Sequence, residues 1–353
     1  MAAVTSVKKT PEIRPAPVRT SVTPVVKPTL KTISLLSGLA VPTVSRALND
    51  APDIGAETKK LVRRIADEIG YVPNRAGVRL RTGRTNVISL VLSTEHDVMN
   101  HTARLISSIA GALRNTPYHM IVTPYFPSED PMRPIRYIVD SGSADAIIFN
   151  QIQPEDPRVA YLMERGFPFA THGRTNWAQR HPYFDFDNGA FGDIGVRRLT
   201  RAGRRRVLLV APPLDQNYAQ NLVTGATAAA TEQQVTLIIA PGITSDSASA
   251  DVQAAMQEIL TQDPAIDGII CASTSATMAA VAALEGCGRH LGQDIDIIAK
   301  EAIPFLRLFR KEIIAIPEDV KQAGEFLARA AIQAVRAPQL PPLQGLDVPR
   351  DNS

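Results

Sequence analysis

The segment VPTVSRALND, residues Val41–Asp50, combines small side chains, hydroxyls and a single arginine, with little of the bulk that builds a core. Val44 and Leu48 lie four residues apart, which predicts a short helix held on its neighbours by these two side chains. The outer face would then present hydroxyls and the guanidinium of Arg46. Such a helix can approach base edges in the major groove of DNA, where bulky side chains would prevent contact. The chemistry predicted here is hydrogen bonding to nucleic acid.

Residues suited to catalysis lack the spacing of enzyme active sites. The six histidines are scattered, and the chain contains no HExxH, GxSxG or GxxxxGK[ST] sequence and no Cys–His metal spacing. Asp185 and Asp187 lie only two residues apart along the chain, an arrangement that does not suit a pair of acid–base carboxylates on either side of a scissile bond. The sequence therefore predicts no enzyme, no metal site and no cofactor.

The elements that would position the first segment are three short helices. The pattern predicts them near Leu30–Ser37, Pro42–Leu48 and Ala56–Ile69, and Gly38 would end the first of them. A tight turn between the first two makes a helix–turn–helix arrangement.

The sequence pattern changes from Asn86 onward. Nine short apolar runs, among them VISLVLS, RVLLVA and DGIICA, alternate with helical patterns such as DVQAAMQEILTQ. This alternation is typical of βαβ units with buried parallel strands. Nine strands are more than one ordinary doubly wound sheet holds, so we expect two α/β lobes. A ligand cleft would lie between them, at the carboxyl ends of the strands.

Charge is distributed unevenly, although the net charge is only +3. Residues 1–28, which we interpret as a disordered Pro-rich arm, carry five basic residues and one acidic residue. Residues 29–85 carry ten basic and five acidic residues, so the remainder is net acidic. A basic N-terminal part, residues 1–85, followed by an acidic remainder indicates that the N-terminal part binds a polyanion.

Composition also predicts the compartment. No stretch approaches the roughly 20 apolar residues that span a bilayer, and the start of the chain lacks the apolar segment of a secretory signal. Cys271 and Cys287 lie among apolar or small residues, which indicates free thiols. We expect a cytoplasmic protein without a membrane partner.

Several motifs in order resemble the lac repressor (LacI/GalR) family. TLKTISLLSGLAVPTVSRALND contains the TVSR–LN hallmark, and IGAETKKLVRRIADEIGYVPNRAGVRLRTGRT contains the third-helix start, the GYxPN turn and the LRTGRT hinge. The resemblance covers about residues 29–337 and is closest to repressors of sugar uptake and catabolism. It implies a small all-α helix-turn-helix domain followed by an α/β two-lobed effector domain, like that of periplasmic binding proteins, with parallel sheets.

The resemblance also implies boundaries. The expected order is a helix-turn-helix domain at 29–74, a hinge helix or linker at 75–85, an effector-binding and dimerisation domain at 86–340 and a flexible tail at 341–353. Lobe 1 would comprise about 86–185 and 317–340, and lobe 2 about 186–316. Asp187 and Asn188, at the crossover into lobe 2, would cap the following helix.

DNA contacts are assigned by matching positions in the resembling family. Arg46 would contact a base edge, expected to be guanine, a contact worth about 1–3 kcal/mol of discrimination. Val41 and Pro42 would form the readout pair, with a preference for thymine methyl groups. The positions that typically bind phosphates are Thr29, Thr43, Ser45, Asn49, Thr58, Tyr71 and Asn74. Tyr71 could equally cap the small core.

The resemblance gives Asn74–Gly83 the role of a hinge helix that folds only on operator DNA. Leu80 would enter the minor groove between the central base steps, and Arg79 and Arg81 beside it would neutralise phosphates. Because so short a helix is marginal alone, it would need both DNA and the partner subunit, and that dependence would provide the switch.

Effector contacts are expected at strand ends. Arg174 matches a position that the family often gives to arginine, and His172 and Trp177 lie beside it. A strand-end role for His172 and a lid or interface role for Trp177 are the alternatives. The chain departs from the family pattern at three further contacts. Gln220 stands where the family usually has an arginine, and Ser273–Thr274 stand where it usually has Ser-Asp or Asn-Asp. Glu301 stands at the position of an acidic residue in the usual GxDD motif. The full expected set is Asp97, Met99, His172, Arg174, Trp177, Gln220, Ser273 and Glu301.

The mechanism implied by the resemblance is that of a homodimeric repressor on a pseudo-palindromic operator in double-stranded DNA. A small effector, expected to be a mono- or disaccharide, would rotate the lobes and separate the two hinge segments. Effector and operator would then oppose one another, although the reverse sign also occurs in the family. A purine or nucleobase sensor of the same fold is one alternative. The other is a periplasmic solute-binding protein, which would need an export signal and would have no use for residues 29–85.

Overall fold

A computed structural model describes residues 27–72, 83–94 and 99–350, with the backbone alone at Met99 and Asn100. The chain divides into two compact units, residues 1–81 and 82–353. None of the described helices is long and apolar enough to cross a membrane.

The first unit consists of three helices, α1 (Leu30–Ser37), α2 (Val41–Leu48) and α3 (Ala56–Glu68). Their bounds agree with the predicted ones to within a residue. Helix α1 begins where the Thr29 hydroxyl accepts a hydrogen bond from the N–H of Thr32. It ends at Gly38, whose φ of 69° is the left-handed conformation that glycine adopts without strain.

A small core holds these helices together. Its completely buried members come from all three helices and are Ile33, Val44, Ala47 and Val62. Because so few side chains are buried, the outer face of α2 needs no bulk for packing and can carry polar side chains.

Lobe 1 of the second unit is a six-stranded parallel sheet. Its strands, in spatial order, are β11 (Gln344–Asp347), β5 (Tyr183–Phe186), β4 (Phe169–His172), β3 (Ala146–Phe149), β1 (Val87–Ser93) and β2 (His119–Tyr125). The helices of this lobe are α4 (Met99–Leu113), α5 (Met132–Ser141), α6 (Pro157–Glu164) and α12 (Val320–Arg336). Helix α12 packs against α4 and against β3, β4 and β5.

Lobe 2 is a five-stranded parallel sheet. Its strands, in spatial order, are β10 (Ile314–Pro317), β9 (Asp296–Glu301), β8 (Gly268–Cys271), β6 (Arg206–Val210) and β7 (Thr236–Ile239). The helices are α7 (Asn188–Arg201), α8 (Asn217–Gln233), α9 (Ser249–Gln262), α10 (Thr274–Gly286) and the short α11 (Leu306–Phe309). All nine predicted apolar runs are strands, so the predicted fold class is confirmed.

The carboxyl end of the chain differs from the prediction. Residues 341–353 were expected to form a flexible tail, yet Gln344–Asp347 form strand β11, which pairs in parallel with β5. Only four residues long and alternating in burial, this strand lacks the apolar run that marked nine of the other ten described strands. It extends the sheet of lobe 1 by an edge strand.

Strand β11 also joins the two crossovers between the lobes. One crossover runs from β5 to α7, and the other runs from β10 to α12. The backbone N–H of Asp187 in the first crossover donates to the carbonyl of Asp347 over 2.8 Å. The N–H of Asp319 in the second donates to the Asp347 carboxylate over 2.9 Å. One residue thus fastens both connections on which the lobes would move.

Candidate effector cleft and DNA-reading helix

Helix α2 presents an exposed polar face. Val44 and Ala47 are completely buried, whereas Pro42 and Arg46 are exposed. The Arg46 guanidinium forms an ion pair with Asp53 over 2.6 Å, and both side chains are about half exposed. Exposed ion pairs contribute little stability, so the guanidinium is available to a stronger partner.

The phosphate-contact candidates in this unit differ in what their side chains contact. Thr29 and Asn49 are engaged locally, since the Thr29 hydroxyl caps α1 and the Asn49 amide donates to the Ser45 carbonyl. Tyr71 packs against the small core, and burial raises the pKa of its hydroxyl. Thr43, Ser45 and Thr58 are partly exposed on their helices, as is Val41. Asn74, Arg79, Leu80 and Arg81 lie outside the described residues.

A cleft lies between the two lobes of the second unit. It contains about 930 Å³ of unfilled space, a volume that includes space open to solvent. Its polar lining comes from the carboxyl ends of strands and the loops that follow them. The lining from lobe 1 and the crossovers includes His101, Asn150, His172, Asp185 and Glu318, and that from lobe 2 includes Tyr218, Ser245, Asp246, Ser273 and Lys300.

Two residues on the lobe 1 wall indicate a ligand. Asn150 is 8% exposed, and its side-chain oxygen has no hydrogen-bond partner among the described residues. Gln151 beside it has a φ of 54°, a left-handed conformation that costs a non-glycine residue free energy. Buried unpaired polar atoms and strained backbone are both concentrated at binding sites.

The floor of the cleft is an ionic cluster around Lys300 of β9. Its ammonium lies 3.4 Å from the Glu318 carboxylate and donates to the Asn188 side-chain oxygen over 3.2 Å. The rings of Phe186 and Tyr218 lie 5.3 and 5.9 Å from the same nitrogen. Burial would raise the pKa of Glu318, but Lys300 and the neighbouring His101 hold it well below its ordinary value. Glu318 is therefore an ionised acceptor inside the cleft.

Arg174 lies behind the cleft wall and forms an ion pair with Asp185 of the lining. The Arg174 Nε lies 3.0 Å from Asp185 Oδ2. Burial nevertheless raises the pKa of Asp185 to about 7, because the cost of a buried charge exceeds the gain from Arg174. The backbone carbonyl of Arg174 accepts from the Asn217 side chain of α8 over 2.6 Å, a direct contact between the lobes.

The lobe 2 wall is rich in hydroxyls. Ser273 caps α10 by accepting from the N–H of Ala276, and its hydroxyl donates to the Ser245 carbonyl over 2.9 Å. The Ser245 hydroxyl in turn donates to Asp246, whose pKa is raised by burial. This wall offers both donors and acceptors at short range.

Comparisons with known proteins match both units. The profile of the bacterial regulatory proteins of the lacI family matches residues 29–74, and that of a periplasmic binding protein domain matches residues 135–337. The transcriptional regulator AglR of Rhizobium meliloti (strain 1021) is 31% identical over 317 residues, which cover 87% of each chain. This chain belongs to the LacI family.

Other relatives agree with that assignment. The regulator CelR of Thermobifida fusca is 26% identical over 90% of this chain and 95% of its own. Among solved structures, a lac repressor dimer bound to operator and an anti-inducer has a TM-score of 0.79 at 17% identity, covering 92% of this chain and 97% of that one. A complex of CelR with cellobiose has a TM-score of 0.67 at 22% identity, covering 92% and 98%. The LacI-family chain described here is thus a sequence-specific DNA-binding transcriptional regulator and not an enzyme.

The structure of this LacI-family regulator brings only part of the predicted effector set to the cleft. His172 and Ser273 line it, and Arg174 lies behind its wall through Asp185. Asp97 lies outside the described residues, as does the side chain of Met99.

Three predicted contacts are placed elsewhere, which corrects the expectation. Trp177 packs against the core on the α6 side of lobe 1. Gln220 is exposed and donates to the Leu214 carbonyl. Glu301 is buried and accepts from the backbone N–H groups of Phe305 and Leu306. Matching a motif identifies a position in the sequence but does not tell which way its side chain points.

Three cleft residues that were not predicted from the sequence share one signal. Asn150 directly follows β3, Glu318 directly follows β10, and Lys300 lies next to the end of β9. In parallel sheets the carboxyl ends of the strands meet at one edge, so a polar residue directly after each apolar run would have been found by that rule alone.

Proposed function

We propose that a mono- or disaccharide binds in the interlobe cleft and controls the affinity of this LacI-family regulator for its operator. The observation that carries the proposal is the cleft lining, where ionised, amide and hydroxyl groups from both lobes face one space. A ligand that bonds to both walls stabilises the closed arrangement of the lobes, and so shifts the population toward it.

The chemistry of the lining suits vicinal hydroxyls. The ionised Glu318 can accept from two neighbouring hydroxyls, Lys300 can donate, and the unpaired Asn150 oxygen needs a donor. The ring of Tyr218 offers an apolar surface for the C–H face of a sugar. Sites that hydrogen-bond to hydroxyls discriminate strongly against ligands without them, because the buried polar groups are then left unpaired.

Relatives support the same ligand class. CelR, which has the same fold, has been solved as a complex with cellobiose. A nucleobase is the competing ligand class and is included as an arm of the test below.

On the DNA side, we propose a homodimer that acts in the cytoplasm as a repressor on a pseudo-palindromic double-stranded operator. Arg46 and the exposed face of α2 would contact base edges, with Val41 and Pro42 at the readout positions, while Thr43, Ser45 and Thr58 would contact phosphates. Arg79, Leu80, Arg81 and Asn74 stay in the predicted DNA-binding set. The two crossovers fastened by Asp347 would transmit lobe closure.

The test has two stages. A thermal-shift screen of mono- and disaccharides against nucleobases identifies the ligand, since a ligand that binds only the native state raises Tm by an amount set by its concentration over Kd. Selection from random duplexes then identifies the operator, and its Kd is measured with and without the ligand. A Tm increase with nucleobases alone would refute the saccharide. Failure to select any duplex would refute operator binding.

A further inference from the structure

Two imidazoles and one carboxylate converge on the lobe 1 side of the cleft. His101 comes from α4, His172 ends β4, and Glu318 follows β10. Glu318 Oε1 lies 3.5 Å from His101 Nε2 and 3.9 Å from His172 Nε2, and the three ligand atoms lie within 4.8 Å of one another. The two rings are 5.1 Å apart between centroids and are tilted by 30°, so they do not stack face to face.

These separations are close to those of a metal site. A cation bound at about 2.0–2.2 Å by nitrogen and oxygen ligands in a tetrahedral arrangement holds neighbouring ligand atoms about 3.4 Å apart. The two separations from Glu318 need to contract by about half an ångström or less, and the separation between the two histidine nitrogens by at most about 1.4 Å, to reach that geometry. Two histidines and one carboxylate are a known ligand set for zinc and for other divalent transition metals.

The second carboxylate oxygen of Glu318 is already held in place. Lys300 contacts Oε2 while the imidazoles face Oε1, so the lysine and a cation need not compete for one atom. Hydrogen-bonded partners of this kind orient metal ligands and are a usual part of such sites.

Both imidazoles are largely shielded from solvent, with exposed side-chain fractions of 21% for His101 and 11% for His172. Asp185 and Asp246 also line the cleft, but burial raises the pKa of both carboxyls, so neither is counted as a charge that favours a cation.

We propose that His101, His172 and Glu318 bind one divalent transition-metal cation, with Zn²⁺ as the first candidate. All three residues line the cleft, so the remaining coordination positions of the cation face the space in which a small ligand would bind. The cation would therefore coordinate a hydroxyl, carbonyl or carboxylate oxygen of that ligand. The sequence predicted no metal site because the three residues are 71 and 146 positions apart along the chain and form no spacing motif.

The direct test is calorimetric titration of full-length, tag-free, chelator-treated protein with ZnCl₂ alone, in the absence of saccharide and DNA. The expected result is one Zn²⁺ per chain, with binding weakened roughly tenfold or more by His101→Ala and by Glu318→Gln. His290→Ala is the matched control, because His290 is exposed beside Asp294 and away from the cleft set, and it should bind as the wild type does.

A second measurement uses the wild-type protein and so does not depend on whether a variant folds. Co²⁺ added to the wild type should give a visible spectrum of a nitrogen- and oxygen-ligated site, and one equivalent of Zn²⁺ should remove it. Absence of saturable Zn²⁺ binding, or binding that neither His101→Ala nor Glu318→Gln weakens, would overturn the proposal. Since neither measurement includes saccharide or operator, the outcome is independent of the proposed function.

Discussion

Lys300 Nζ and Glu318 Oε2 lie 3.4 Å apart and join the sheet of lobe 2 to the crossover that returns to lobe 1. Both side chains are largely buried, with exposed fractions of 13% and 7%. A buried pair of this kind contributes geometry more than net stability, because removing two charges from water costs nearly what their attraction returns. The pair therefore fixes the geometry of the cleft floor, next to the crossover on which the lobes would move.

The first prediction concerns this pair. Lys300→Met should abolish the Tm increase that saccharide causes, with binding at least about tenfold weaker, which is about 1.4 kcal/mol. The ligand-free Tm should also fall, because Glu318 is left buried without its cation. Lys321→Met, a change of an exposed lysine on α12, is the control and should retain the ligand response. Saccharide binding by Lys300→Met at wild-type affinity would remove Lys300 from the site.

The second prediction concerns pH. Burial raises the pKa of Asp185 from 3.8 to about 7, so folding favours the protonated carboxyl, and the stability from this group is lost as pH rises through that window. Burial lowers the pKa of His172 from 6.5 to about 3, so its contribution is present above pH 6.5 and lost as pH falls. The two effects oppose one another between about pH 4 and 6.5.

Asp185→Asn removes the contribution of the Asp185 carboxyl to the pH dependence of stability. The free energy of unfolding in urea should then rise with pH more steeply than in the wild type, by up to about 1.4 kcal/mol per pH unit between pH 4.5 and 6.5. Asp251→Asn, at an exposed position in the first turn of α9, should leave the slope unchanged. Equal slopes for Asp185→Asn and the wild type would show that Asp185 is ionised throughout this window.

The third prediction concerns the close packing of α7 on α8. A Cβ on Gly225 would lie 2.1 Å from the Gly189 carbonyl oxygen, a backbone atom that cannot move aside. Gly225→Ala should therefore lower the free energy of unfolding by about 1–3 kcal/mol or more, measured by urea denaturation.

A glycine in α4 provides the control. Gly111 has open space around the position of a Cβ, so Gly111→Ala should raise stability by about 0.5–1 kcal/mol. If both changes shift the urea midpoint by the same amount in the same direction, the α7–α8 contact does not depend on glycine.

The fourth prediction concerns DNA reading. Arg46→Ala should weaken operator binding by about 1–3 kcal/mol and relax sequence preference at one base pair of each half-site, measured by competition between single-base operator variants. Arg133→Ala, an exposed arginine of lobe 1 paired with Glu129, should change neither property. Uniform weakening across all operator variants would instead assign Arg46 to phosphate contact.

The sequence predicted the fold well because burial and periodicity are local signals. Apolar runs such as RVLLVA became central strands, and Asp187 caps α7 as expected from its position before that helix. The site was predicted only in part, because side-chain direction is set by register. Lys300 and Glu301 are successive strand residues and point to opposite faces, so matching the acid of a motif selected the wrong neighbour.

The same limit applies on helix α8. Tyr218 lines the cleft, whereas Gln220, two residues later, is turned about 200° around the helix axis and is exposed. His101 and Glu318 came together only through the packing of α12 against α4, a contact between distant parts of the chain. No spacing pattern in the sequence encodes that contact.

Control of operator binding by saccharide can be measured by fluorescence anisotropy of a labelled operator duplex, titrated with this regulator at increasing concentrations of a saccharide that raises its Tm. We expect saccharide to change the operator Kd at least about tenfold, a coupling of about 1.4 kcal/mol, and Lys300→Met to lose this change while still binding operator. An operator Kd that stays the same at saturating saccharide would contradict the proposed control by saccharide.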